Sequence, residues 1–322
     1  MRRLRLIAGK RTLSPLRGNR LFASLGVLLW AAPVLLASVA DAAVRRIELS
    51  NGDVYEGEVV NGVRSGFGTY ITAAGHRYTG YFENNRMHGE GTFHWPDERV
   101  FEGEFVNGLR NGEGTLTWPD GRVFEGTFVN DRREGMGRLE WPNGNVYTGE
   151  FTNNSITGRG TLVMANQDVY AGEFVDGERT GWGEQTWQDG NRYVGEFDRN
   201  RRYGLGAYYW RDGTVYRGQF VDNRMQGFGV KFAPDGERYF QQWLDGELVD
   251  ETPVAANPRC ALVLDEEAWM FASADCINGL AHGAGIAVRL DGQAYVDGGR
   301  FVLGNMVAGE MRWLISPGET GR

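Results

Sequence analysis

From Phe101 onward the chain alternates in steps of two. Phe101, Gly103 and Phe105 fall on one side of an extended run and Glu102 and Glu104 on the other, and after a short polar loop Gly112, Gly114, Leu116 and Trp118 alternate with Glu113, Thr115 and Thr117. A period of two is the signature of a strand with one buried face. The segment therefore predicts two strands joined as a β-hairpin. Pro119-Asp120-Gly121 then supplies a turn, with proline setting φ and glycine accepting a positive one.

The pattern recurs. An aromatic residue followed two positions later by glycine stands at Tyr55, Tyr78, Phe101, Phe124, Tyr147, Tyr170, Tyr193 and Tyr216, always 23 residues apart. Tyr239 falls on the next beat, but Gln241 replaces its glycine, which makes a ninth unit degenerate. Each unit also carries a Gly-x-Gly, from Gly66/Gly68 through Gly158/Gly160 to Gly227/Gly229. Glycine weakens a strand, so its regular use needs a reason: it leaves room for aromatic rings on neighbouring strands to lie against the sheet. Trp95, Trp118, Trp141, Trp187 and Trp210 mark one rung of that aromatic layer, with Met164 at the corresponding place in its unit. Fixed self-similarity means one small unit stacked along an axis. The expected fold is all-β, an elongated, twisted antiparallel meander of stacked 23-residue hairpins.

With Tyr147-Thr148-Gly149-Glu150-Phe151 followed by Gly158-Arg159-Gly160, and Tyr170-Ala171-Gly172-Glu173-Phe174 followed by Gly181-Trp182-Gly183, the sequence resembles the MORN repeats (membrane occupation and recognition nexus). The resemblance covers residues 55 to about 232 and suggests an exported bacterial member. It implies a scaffold, dimerisation or membrane-contact role, in a family whose members often carry a separate catalytic domain. Lipid binding is proposed for the family and does not follow from the repeat pattern. Some relatives join these repeats to lipid-kinase domains, and no segment here is such a domain.

The flanks differ from the array. Residues 1–42 hold seven basic side chains, then the uncharged run Leu21 to Ala40, then Ala40-Asp41-Ala42. That order reads as a signal peptide cleaved after Ala42, or as a retained anchor, because about 20 apolar residues can cross a bilayer. Both readings export the remainder of the chain, into the periplasm or facing it from the inner membrane. Residues 43–250 form the array. Residues 251–322 repeat some of its offsets, with Gly283-Ala284-Gly285 and then Tyr295, and are expected to be a degenerate cap that blocks edge pairing at the end of the array. Cys260 and Cys276, the two cysteines, are candidates for a structural disulfide in an exported chain, with two free thiols as the alternative.

Charge narrows the function. The net charge is −8, and removing residues 1–42 makes the remainder more acidic, which argues against nucleic acid as a partner. His76, His88, His94 and His282 fall at unrelated offsets, so no repeated metal site is expected, and no nucleophile elbow, phosphate loop or dinucleotide fingerprint is present. No cofactor or catalytic residue is assigned. A carboxylate pair among the many acids is the remaining route to a hydrolase. Glu58, Glu104, Glu150, Glu173 and Glu196 share one offset on the outward face of the first strand. Arg64, Arg86, Arg110, Arg132, Arg133, Arg179, Arg201, Arg202 and Arg224 lie in the loops before each Gly-x-Gly, outside the expected aromatic layer. Stacking would align them into one basic edge, either a solvated rim or a site for anionic lipid head groups or glycans. The leading expectation is a non-enzymatic envelope scaffold or protein-interaction module with protein partners, a homodimer or a membrane surface among them.

Overall fold

Each repeat closes through a two-residue turn and hands on to the next through a three-residue one. In the unit of Tyr147, the strands Val146–Thr152 and Ser155–Val163 are joined by Asn153 and Asn154, with φ of 50° and 72°. Positive φ at both central residues is the type I′ turn that matches strand twist, and asparagine tolerates it. The next connection runs through Ala165, Asn166 and Gln167: the Gln167 N–H donates to the Met164 carbonyl and the Met164 N–H to the Asp168 carbonyl, each at 2.8 Å. In the Pro-Asp-Gly version of this turn, Gly121 takes the left-handed conformation with φ of 90°.

The computed structural model describes residues 43–253 and, beyond them, 262–264, 267–272, 276–277, 280–289, 294–302 and 305–313. Residues 1–42 lie outside this range, and with them the signal-or-anchor expectation. The disulfide expectation is outside it too, because Cys260 is not among the described residues and Cys276 is described only in its backbone. Nineteen antiparallel strands, from Ala43–Glu48 to Glu247–Pro253, form one sheet in which each strand pairs with its neighbours in sequence. The register places glycine opposite glycine: Gly137 meets Gly149, which meets Gly160, which meets Gly172. The result is a file of glycines running across the sheet. The aromatic rings lie along it. A Cβ on Gly160 would sit 2.4 Å from the Tyr147 ring, so the expected reason for this glycine holds.

The first glycine of each pair has a different cause. Gly158 has φ of +84° beside a β-bulge between Gly149 and Phe151, and a Cβ there would lie 2.5 Å from the Glu150 carboxylate. That carboxylate accepts the Arg159 N–H at 3.0 Å. Glu58 and Glu196 likewise accept the N–H groups of Phe67 and Leu205, at 3.1 and 3.2 Å. The repeated glutamates thus fasten the bulge from the outward face. On the other face the bulge leaves a carbonyl that the tyrosine takes up: Tyr147 donates to the Glu150 carbonyl at 3.1 Å.

The core is a file of rings on one sheet. Tyr147 meets Phe151 at 5.4 Å and Phe174 at 5.0 Å, both edge to face, and similar contacts link the rings from Tyr55 to Phe220. This is the favoured geometry for aromatic quadrupoles. Tyr55, Phe101, Phe124, Tyr147, Tyr170, Tyr193 and Tyr216 are fully buried. Within the main core cluster the buried side chains all come from this single sheet.

The C-terminal strands form a second antiparallel sheet, Leu262–Leu264, Glu267–Ala272, Gly283–Arg289, Ala294–Val302 and Asn305–Trp313 in that order, with a short hairpin of Cys276–Ile277 and Leu280–Ala281. Gly285 pairs with Gly299, as glycines do in the repeats, but Phe301 now supplies the ring against Gly299. The sequence predicts a unit that blocks the edge of the array. Instead the described strands of this sheet pair among themselves, and Val288 and Tyr295 pack onto a face of the array, against Val230 and Phe240 with Leu205, Phe228 and Phe232 around them. The reason is chemical: the last units carry apolar residues on that face, which a cover can bury.

Candidate functional site

Adjacent residues of a strand point to opposite faces, and this divides the nine arginines. Arg64, Arg110, Arg133, Arg179 and Arg202 lie on the aromatic face. Arg133 stands over Trp118, Phe124 and Phe151 at 5.6, 5.4 and 5.5 Å, and Arg202 over Trp187, Tyr193, Tyr208 and Phe220 at 5.3 to 5.8 Å. Their stems and planar heads seal the ring file from water. Burial pulls Arg133, Arg179 and Arg202 below the ordinary guanidinium range, and for Arg133 the neighbouring Arg122 and Arg110 add to it.

The same arginines fasten one repeat to the next. The Arg133 backbone N–H donates to the Asn154 side chain at 2.9 Å, while its guanidinium donates to the Asn154 carbonyl at 2.6 Å. Arg64 holds Asn85, Arg110 holds Asp131, Arg179 holds Asn200 and Arg202 holds Asn223 in the same way. Where the arginine is replaced by Met87, Ile156 or Met225, the residue 21 positions on is Gly108, Gly177 or Gly246. There only a backbone bond remains, as from Gly177 N–H to the Ile156 carbonyl at 2.9 Å. These five arginines belong to the aromatic layer, contrary to the expectation that the loop positions lie outside it. They are structural clamps.

Arg86, Arg132, Arg201 and Arg224 project to the other face, so the nine do not form one edge. Arg132 donates to Asn153 and Arg201 pairs with Asp222, both at 2.7 Å. Arg86 and Arg224 open their strands opposite Glu83 and Val221.

A second inter-repeat rule governs the three-residue turns. The N–H groups of Ala73, Ala165, Gln188 and Arg211 are received by the side chains of Asp53, Asn145, Asp168 and Asn191, at 2.9 to 3.0 Å. Where the turn opens instead with Pro96, Pro119, Pro142 or Pro234, which has no N–H, the receiving position is His76, Arg99, Arg122 or Thr214. Asp or Asn occurs where there is a donor to receive.

Eight consecutive matches to the MORN repeat run from residue 55 to residue 238, at 55–77, 78–98, 101–121, 124–146, 147–169, 170–192, 193–215 and 216–238. The chain belongs to the MORN-repeat family. No curated protein matches it. Among solved structures, the SAS-4 TCP domain of Drosophila melanogaster, in complex with a proline-rich motif of Ana2, is 13% identical over 61% of this chain and 88% of that one, with a TM-score of 0.31. The TCP10 domain of Danio rerio CPAP, in complex with a peptide of STIL, is 16% identical over 65% of this chain and 99% of that one, with a TM-score of 0.27. Virginiamycin B lyase from Staphylococcus aureus is 12% identical over 71% and 90%, with a TM-score of 0.14.

In this MORN array the face opposite the rings is where units differ. The middle residue of Gly-x-Gly reads Phe67, Glu90, Glu113, Met136, Arg159, Trp182, Leu205 and Phe228 along the array. Phe67, Tyr81 and Met136 are 49%, 52% and 60% exposed. Met136, Thr148, Arg159, Thr161, Trp182 and Val194 line an open groove of about 860 Å³. Sequence reasoning missed these positions because the charged offsets repeat and they do not. Their signal in the sequence is variation at one offset while both flanking glycines stay constant.

Proposed function

We propose that the MORN array is a non-enzymatic scaffold or protein-interaction module, with the face opposite the aromatic rings as its contact surface. One observation carries this reading. The aromatic face repeats the same few residue types and is consumed by packing and by arginine clamps, whereas the opposite face changes from unit to unit and keeps large side chains in water. Large exposed apolar and aromatic residues beside a groove are the surface that a protein partner buries. The order of residues 1–42 supports export, which would place the array in the cell envelope. A site for anionic lipid or glycan has less to build on, since five of the nine arginines are clamps and two others already meet Asn153 and Asp222.

Crosslinking and capture from cell-envelope extracts tests the reading. A partner held by the intact chain should be lost on replacing Met136 and Trp182 with Ala, and kept when Arg132 becomes Gln. Capture that ignores the first change, or binding to anionic vesicles that depends on the second, would contradict it.

A further inference from the structure

The methionines of this chain divide by what covers them. Met87, Met164 and Met225 pack against the ring file, and Met306 and Met311 against the core of the second sheet. Met136 alone, among the methionines whose side chains are described, packs against no core. It stands on the outward face of the strand Arg132–Glu140, opposite Glu150, and is 60% exposed. With Trp182 and Val194 it lines the groove of about 860 Å³. A thioether in water is open to oxidants, whereas one packed in a core is shielded by its neighbours.

Oxidation at this position changes the surface and spares the fold. The same offset holds Glu90 and Glu113 in the two preceding repeats and Arg159 in the next, all exposed. The hairpin therefore accepts a polar, solvated group between its two glycines. We propose that Met136 is a redox-modification site that switches the contact surface, an inference that rests on the contact reading above. The oxidant is a peroxide. The sulfur lone pair attacks one peroxide oxygen, the S–O bond forms as the O–O bond breaks, and the leaving hydroxide takes the proton of the transferred oxygen and departs as water. Sulfur loses two electrons and the peroxide gains them. A flexible apolar side chain that a partner can bury becomes a polar sulfoxide that holds water in the groove. A methionine sulfoxide reductase with a thiol reductant removes the oxygen as water, so the change is reversible.

Treating the full chain with hydrogen peroxide and mapping each methionine by peptide mass spectrometry reads the site without a partner. Met136 should gain one oxygen at least about tenfold faster than Met87, Met164 or Met225, with the far-UV circular dichroism unchanged. A rate no greater than theirs, or oxidation of Met136 that unfolds the array, would overturn the proposal. Capture from envelope extracts reads the switch. Peroxide should weaken binding to the parent at least about tenfold, and reductase treatment should restore it. Met136→Leu should keep its binding after peroxide, Leu205 showing that the offset accepts leucine. Met136→Gln, polar without oxidation, should bind as the oxidised parent does. Capture that is lost on replacing Met136 and Trp182 with Ala but is indifferent to peroxide would overturn the switch and leave the contact surface standing. Capture indifferent to both treatments would overturn both.

Discussion

Arg132 and Arg133 stand side by side, yet one is exposed and paired with Asn153 while the other lies on three aromatic rings and holds Asn154. Replacing Arg133 with Gln should cost about 1–2 kcal/mol, from the lost cation–π contacts and a charge-assisted hydrogen bond at a partly exposed site. The same change at Arg132 should cost within about 0.5 kcal/mol of nothing, as surface changes do. Equal losses in urea unfolding would mean the two do not differ in role. Tyr147 offers a second contrast. Tyr147→Phe removes one hydrogen bond to the Glu150 carbonyl, worth about 1 kcal/mol, and the array already accepts Phe101 and Phe124 at this offset. Alkali should act on the same residues. Burial pushes the Tyr147 phenol up to about 12, and Tyr78, Tyr170, Tyr193 and Tyr216 are raised from the same cause. Because the folded values exceed the unfolded one, their stabilisation is complete below about pH 10. It is lost as pH climbs through 10 toward the folded value near 12. Absorbance of tyrosinate followed together with circular dichroism should show the buried phenols ionising as the array unfolds. Their ionisation in a folded sheet would contradict the packing.

At the scale of the hairpin, the unit is legible in one repeat, but its fastening is legible only between two. The pairs Arg64 with Asn85, Met87 with Gly108, Arg133 with Asn154 and Ile156 with Gly177 all lie 21 residues apart. A side chain that reaches the next turn is matched by a turn residue that can receive it. Converting Arg133 and Asn154 together to Met and Gly should therefore cost less than the sum of the separate changes, with a coupling of at least about 0.5 kcal/mol. A double-mutant cycle measures it directly. Strict additivity would show that the clamp does not couple the repeats.

Across the whole molecule, stacked units make stability depend on position. Tyr147 is fully buried between the rings of Phe151 and Phe174, so Tyr147→Ala should cost about 3–5 kcal/mol. Tyr239 is only partly buried, stands outside the ring file and bonds Glu237, and its unit ends the sheet. Tyr239→Ala should cost much less, since end units can fray. Hydrogen exchange of the two variants would separate local from array-wide opening. Comparable losses at both sites would argue against nearest-neighbour stacking. The last units differ from the middle in one further respect: their outward face is apolar, and the second sheet settles on it.

The repeat period, the hairpins, the turns and the file of glycines were readable from residue order alone, because each is set by chemistry within a few positions of itself. Pro119-Asp120-Gly121 can scarcely do anything but turn, and Gly160 is glycine because a ring one strand away needs its space. The roles of Arg110, Arg133 and Arg179 were not readable in that way. Alternation assigns each of these arginines a face, but a loop position read within its own repeat does not show which rings of other strands it covers. Their partners also sit in the following repeat. Gly66 and Gly158 looked like their neighbours in the pair, and only the backbone showed that they serve a positive φ. The second sheet's place on a face rather than at the edge was likewise a tertiary matter. It depends on matching Val288 and Tyr295 with Leu205, Phe228 and Val230 across dozens of residues, a complementarity that no local pattern encodes.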